Sequence, residues 1–491
     1  MRTLFTRRQF AFGCSATIAA GFVYSRSAIG DGARFDTPLP IPKLIEAAGI
    51  GNTIKLQVTP GRHAFVKGKL ASTYGYSAAV LGPVIRVRRG DEVQMTIENA
   101  LDRITTVHWH GLLVPGDVDG GPHQPIKPGD VRRLALKIDQ PAATNWFHPH
   151  PHHDTARQVY MGLTGMIIVD DGSSAHLRLP QTYGADDLPI ILQDRSFERD
   201  GSLGYNPSPM ATAYGSRGDT TVTNGVIRPF AKVPRALVRL RLLNGANARN
   251  FDLRFSDERV FHVIASDGGF LAEPVGASQL RMSPGERYEI LVNFADGKAV
   301  TLETGPDTEI GLFGALTEHA AESAYVPVMR FEPSAAPGTV NLLPTRLVEP
   351  AALDPSGAIA RRRFVLDSGM AAGSESCGSG GGKMTINGKS HDLARIDASV
   401  RLGTTEIWEI VSVGMAHPFH IHGASFRVLS INGQSPPAYL MGWKDVVLVE
   451  GSAELLVAFN RPATREHPFM FHCHILEHED AGLMAQYVCE H

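Results

Sequence analysis

Apolar and polar positions along this chain exchange in short steps. The pattern is plain in "PVIRVRRGDEVQMTIENA", "RALVRLRLLNGA", "RYEILVNF" and "DVVLVEGSAELLVAF". A period near two puts one row of side chains on each face of an extended strand, so these runs predict β-strands. Gly, Pro, Asn and Asp punctuate them, and 50 glycines with 32 prolines imply many tight connections. Long stretches with helical spacing are scarce. The expectation is an all-β protein.

One pattern recurs three times: a strand, a polar bend, a second strand. The copies are "GDEVQMTIENALDRITTVHWHG", "RALVRLRLLNGANARNFDLRF" and "GTTEIWEIVSVGMAHPFHIHG". The first and third end in histidine pairs, and the middle one ends in "NFDL". A repeat of this kind is one structural unit used several times. It predicts three homologous β-sandwiches, the outer two metal-binding and the middle one a spacer. Their expected limits are residues 40–180, 185–335 and 358–491 of the 491-residue chain, a length that suits about three domains. The Pro- and Ala-rich stretch from about Pro333 to Gly357 reads as a linker, and "GSESCGSGGGKM" as a flexible loop.

Residues 1–30 depart from this pattern. "TRRQF" sets Arg7 and Arg8 ahead of the apolar run "AFGCSATIAAGFVYS", with small residues near Ala28. That is a signal peptide of twin-arginine type. It predicts export of the folded protein by the twin-arginine machinery and a periplasmic location. The run is too short to make a good spanning helix, so no membrane span is expected in the mature chain. A lipid anchor on Cys14 is disfavoured by Phe12 just upstream. A net charge of −3, with no basic surplus, argues against a nucleic-acid partner. The four cysteines, Cys14, Cys377, Cys473 and Cys489, do not make a disulfide scaffold. Cys14 leaves with the signal. If Cys473 is a ligand, Cys377 and Cys489 are left, and their separation decides whether they pair in an oxidising compartment.

Four His-x-His pairs carry the chemistry. They are His108/His110, His148/His150, His420/His422 and His472/His474. Residues two apart on a strand face the same way, so each pair aims both imidazoles at one point. Eight imidazoles are too many for one metal and suit a cluster of several ions; neutral imidazole favours copper, zinc, iron or nickel. The odd offsets mark a second site. Cys473 lies between His472 and His474 and faces the other side. His417, three residues before His420, also faces away from its pair, and His478 lies beyond the strand and can turn back. Two histidines and one cysteine in trigonal array make a blue-copper electron-transfer site. Cys473 then joins two metal sites along one strand. A single His-x-His pair is often plain packing, but four of them, two with a further matching ligand, are hard to obtain by chance. His123, His152 and His153 read as surface or ligand-supporting residues, with an extra metal site as the alternative. His63, His176, His262, His319, His391 and His467 read as ordinary surface or packing residues.

The stretches "HWHGLLVPGDVDGGP", "WFHPHPHHDTARQVYMGLTG", "HPFHIHG" and "HCHILEHEDAGLM" resemble the four copper-binding motifs of the multicopper oxidases, especially bacterial laccase-like enzymes and the periplasmic copper efflux oxidases. The likeness spans nearly the whole mature chain. It implies three consecutive cupredoxin-like Greek-key β-sandwich domains and four copper ions. By motif position, His417, Cys473 and His478 would hold the blue copper, and His108 with His420 the type 2 copper. His110, His148 and His474 would hold one type 3 copper, and His150, His422 and His472 the other. The implied reaction draws single electrons from a reductant and reduces dioxygen to water. Asp119 and Glu479 match acidic positions that relay protons in similar enzymes; their structural alternative is to orient ligands.

The chain departs from this likeness at two places. The axial position, five residues after His478, holds Leu483 where the efflux oxidases have Met. Leu483 cannot coordinate, and Met484 should point away, which predicts a three-coordinate blue copper of raised potential; a bulge that swings Met484 inward is the alternative. The methionine-rich insert of the efflux oxidases is also missing: the region from Ala358 to Asn387 holds Met370 and Met384 alone. Met415 matches a Cu(I)-contacting position, but its acidic partner is replaced by Val413. An open, shallow approach to His417 and His478 would admit phenols.

The leading expectation is therefore an exported oxidase of laccase type acting on phenolic or similar reductants. The alternative is a cuprous or other metal oxidase serving copper tolerance. A weaker one is a non-enzymatic scaffold in cell division, as in similar proteins that have lost their ligands. A copper nitrite reductase would need neither the four pairs nor a three-copper cluster.

Overall fold

The computed structural model describes residues 34–206, 208–306, 325–336, 338–349, 354–369 and 383–491. The signal segment, Cys14, His319, Met370, Cys377 and most of the Gly-rich stretch lie outside them. Strand dominates, and the helices are short. The strands form three pairs of sheets: two of four strands, then one of seven with one of five, then two of five. The expected all-β architecture of three sandwiches is present.

The repeat is visible in strand pairing. In the first sandwich Glu92–Asn99 runs parallel to Thr53–His63 and antiparallel to Val131–Lys137. Leu237–Asn244 has the same two kinds of neighbour, Asp187–Arg195 and Arg287–Asn293. So does Thr404–Val413, beside Arg361–Asp367 and Ser452–Phe459. The second strands of the middle and third repeats also share a setting. His417–Ile421 lies between Val446–Val449 and Phe469–Cys473, and Phe251–Phe255 lies between Gln279–Met282 and Val300–Thr304. Where the third sandwich carries His420 and His472, the middle one carries apolar residues and threonine.

Core formation follows the alternation. Thr53–His63 buries every second residue over its first half, because one face meets the core and the other meets solvent. Leu237–Asn244 is buried at every position. Its arginines, which the alternation would send to water, are paired inside instead. Arg241 meets Asp187 and Glu289, Arg239 meets Glu289, and Thr144 of the first sandwich donates to Glu289. The charges are satisfied only because the outer face of the middle sheet is covered by its neighbour. The segment expected as a linker packs in part: Leu347 is buried, and its N–H donates to Ala272.

Candidate metal centre

The histidine cluster assembles where the first and third sandwiches meet, and the Cys473 grouping lies within the third. His420 and His472 are cross-strand partners, and His108 bridges His148 in the same way. All ten candidate histidines and Cys473 are buried.

The residues between the histidines point away from the cluster, as a period of two requires. Trp109 enters the core of the first sandwich; Ile421 and Cys473 enter that of the third. On the cysteine side, His417 Nδ1 lies 3.3 Å and His478 Nδ1 3.5 Å from Cys473 Sγ. These three ligand atoms lie within reach of one ion. His478 sits in α3 (Leu476–Asp480), following α1 (Thr155–Tyr160) and α2 (Pro209–Tyr214) in the chain. Its Nε2 donates to the carbonyl of Ala213 in α2 at 3.0 Å. The open approach expected above is therefore not seen among the described residues. His417 and His478 are both buried, and a buried imidazole N–H needs the acceptor that α2 supplies.

Register bears on which way Met484 faces. Met484 pairs with His472 in an unbroken antiparallel ladder, so both side chains share the face away from Cys473. No bulge interrupts the pairing. Leu483 lies in the apolar core with Cys473, whose N–H donates to the Leu483 carbonyl.

On the histidine side, Nε2 of His472 lies 3.3 Å from His150 Nε2 and 3.2 Å from His422 Nε2. These three match one expected type 3 set. His108 donates through Nδ1 to the Asp119 carbonyl and His420 through Nδ1 to the Asp445 carbonyl. That fixes the tautomer and leaves both Nε2 atoms buried without partners. His110 and His148 approach at 3.4 Å, and the His474 ring lies 5.0 Å and 5.5 Å from theirs, with neither of its nitrogens bonded. Ligand atoms lie within 4.8 Å of one another in His108–His110–His148 and in His108–His420–His422, groupings that do not include His474.

Electrostatics match a metal-ready state. Burial, reinforced by neighbouring imidazoles, holds His110, His148, His150, His420, His422, His474 and His478 well below the usual histidine range. Burial takes His417 down to about 4 and His472 to about 3. They are neutral near pH 7 and have lone pairs to give. Burial pushes the Cys473 thiol up, so a thiolate there needs a cation beside it. Buried, unpartnered imidazole nitrogens around a shared space, together with this thiol, are a donor set that suits copper.

Asp119 and Glu479 lie beside these histidines. Asp119 Oδ2 accepts from His422 Nδ1 at 2.8 Å and lies 3.3 Å from His108 Nδ1. The oxygens of Glu479 lie 3.3 Å from Nδ1 of both His150 and His472, yet neither makes a hydrogen bond. Burial, then the nearby charge of Asp480, raises the pKa of Glu479 well above the usual carboxylate range.

A third carboxylate was missed. Asp445 accepts from His110 Nε2 at 3.1 Å and is clamped by two 2.6 Å bonds from Arg287 of the middle sandwich. Gly285, also of the middle unit and with φ of +86°, lies so close that a Cβ there would meet His474 and His110. The middle unit carries none of the candidate ligands but completes the wall and orients His110. The only signal in sequence was the charged "KD" before "VVLV", and nothing linked it to Arg287.

Comparisons with known proteins follow the same outline. Family profiles described as multicopper oxidase match residues 57–174, 201–300 and 363–491. The multicopper oxidase mco of Staphylococcus haemolyticus is 36% identical over 457 residues, 91% of each chain. The cell division protein FtsP of Dickeya dadantii is 35% identical over 492 residues, 99% of this chain and 98% of its own. Among solved structures, the bacterial laccase-like multicopper oxidase CueO of Ochrobactrum sp., described as active towards lignin model compounds and lignosulfonate, superposes with a TM-score of 0.85. It is 45% identical and covers 92% of this chain and 100% of its own.

Proposed function

This chain belongs to the multicopper oxidases, and on that premise we propose an exported, laccase-type oxidase of phenolic or similar reductants. The observation that carries the reading is the division of one strand into two faces. Cys473 meets His417 and His478 on one, and His472 and His474 join six further imidazoles on the other. In this reading His417, Cys473 and His478 hold a blue copper. His108 and His420 hold a type 2 copper, His110, His148 and His474 one type 3 copper, and His150, His422 and His472 its partner. Four such ions, when bound there, would supply one-electron redox chemistry for the reduction of dioxygen to water.

The protein's own part is connection, proton supply and exclusion. Cys473 is covalently continuous with both neighbouring histidines, and its carbonyl accepts from His472 Nδ1 at 3.0 Å, a second short route between the faces. Glu479, with free oxygens beside His150 and His472, is placed to hold a proton for the reduced oxygen; Asp119 does the same beside His422 and His108. Apolar packing around Cys473 keeps water from the thiolate. The apolar run behind Arg7 and Arg8 supports twin-arginine export to the periplasm. Among the described residues no helix is long and apolar enough to cross a membrane.

Copper-loaded protein should be blue and should consume dioxygen with a phenol, without added copper. Strong dependence on added copper would shift the reading to a cuprous oxidase, which Met415, partly buried against the Cys473 core, keeps in view. A colourless protein with no dioxygen uptake would favour a scaffold role like that named for FtsP.

A further inference from the structure

A second group of histidines lies outside both metal groupings. His391, which the sequence suggested was ordinary, is brought by the third sandwich against His152 and His153 of the first. The His152 ring is 3.6 Å from that of His153 and 5.5 Å from that of His391. The His152–His391 separation is close to those between rings of the proposed copper ligands, 5.0 Å for His150–His472, 5.3 Å for His422–His472 and 5.3 Å for His417–His478, whereas His152 and His153 lie closer together.

The surroundings hold these rings in place. His153 adopts a left-handed backbone (φ 66°), uncommon for a residue with a side chain, and its Nδ1 donates to the Asp480 carbonyl at 2.6 Å. The His391 N–H donates to the Gly482 carbonyl, so the end of α3 and the turn after it anchor the two residues. Gln486 spans the remaining side. Its Oε1 accepts from His123 Nε2 at 2.8 Å, and its amide donates to the carbonyls of Leu393 and Arg395 in the His391 loop. Both ring nitrogens of His391 are buried and have no hydrogen-bond partner, a costly state for a polar ring unless something else accepts its lone pair. His152 and His153 are exposed, which leaves a path from solvent.

We infer that His152, His153 and His391, supported by His123, form a separate site for one borderline divalent transition ion at the seam of the first and third sandwiches. Imidazole donors without carboxylates or thiols select zinc, copper or nickel over magnesium or calcium. None of these residues is assigned to the four coppers, so the inference is independent of the reading above. A bound ion would tie the two sandwiches together beside α3, which carries Glu479.

Equilibrium dialysis of the copper-loaded protein against micromolar zinc tests this. The parent should retain one more zinc per chain than a His152→Ala/His391→Ala variant, and His391→Gln alone should weaken that binding at least tenfold. A His176→Ala variant, altered at an exposed histidine elsewhere, should keep the parent's zinc. Unaltered blue absorbance in each variant reports an intact fold. Equal zinc content and affinity in the parent and the double variant would overturn the inference, as would an equal loss in His176→Ala.

Discussion

His108-Trp109-His110 in the first sandwich and His472-Cys473-His474 in the third are built alike. In each, two imidazoles face the seam and the residue between them enters its own core with no exposed surface. Trp109 fills that core, packing against Phe147 at 5.8 Å between rings. Cys473 occupies the matching place but keeps Sγ beside His417 and His478. The strand period decides which way the middle residue points, and its chemistry decides whether that place is packing or a second metal site. One substitution of type separates a wall from a junction.

That contrast can be tested. Cys473→Ser should abolish blue absorbance and dioxygen uptake with phenols while copper remains bound at the histidine cluster, measured by optical spectra and metal content. Surviving activity would mean that the thiol is not the junction. Trp109→Ala should act on the other quantity, lowering stability by about 3–5 kcal/mol as a large core cavity does, read by denaturant unfolding. If it removed activity without lowering stability, Trp109 would be more than packing. Glu479→Gln should slow turnover by about 10²-fold, within the usual range for losing a positioned proton donor, with copper content and blue colour kept. Full turnover across pH would leave Glu479 as an orienting group. Met484→Ala should change the blue band and potential least, since Met484 shares the His472 face; a large spectral change would place its sulfur near the copper after all.

Much of the site was legible early. His-x-His spacing on a strand is local geometry, and the offsets of Cys473 and His417 follow from the same period. The assignment of Leu483 over Met484 also followed from alternation, and the ladder opposite His472 agrees with it. The clamp of Arg287 on Asp445 was not legible. It joins residues 158 positions apart in sequence, and either charge alone reads as surface. The cover of α2 over His478 was missed for the same reason, since Ala213 contributes only a backbone carbonyl, which every residue has.

The sequence by itself determined the strands, the threefold repeat, and which face of each strand its histidines and cysteine occupy, because a two-residue period is a property of the local backbone. The tertiary structure alone decided which groups meet. It buried Arg239, Arg241 and Arg287 by covering the middle sheet, tuned the imidazoles by removing water, and brought His391 against His152. Burial and charge pairing depend on what the rest of the chain sets alongside a residue, and no local pattern carries that information.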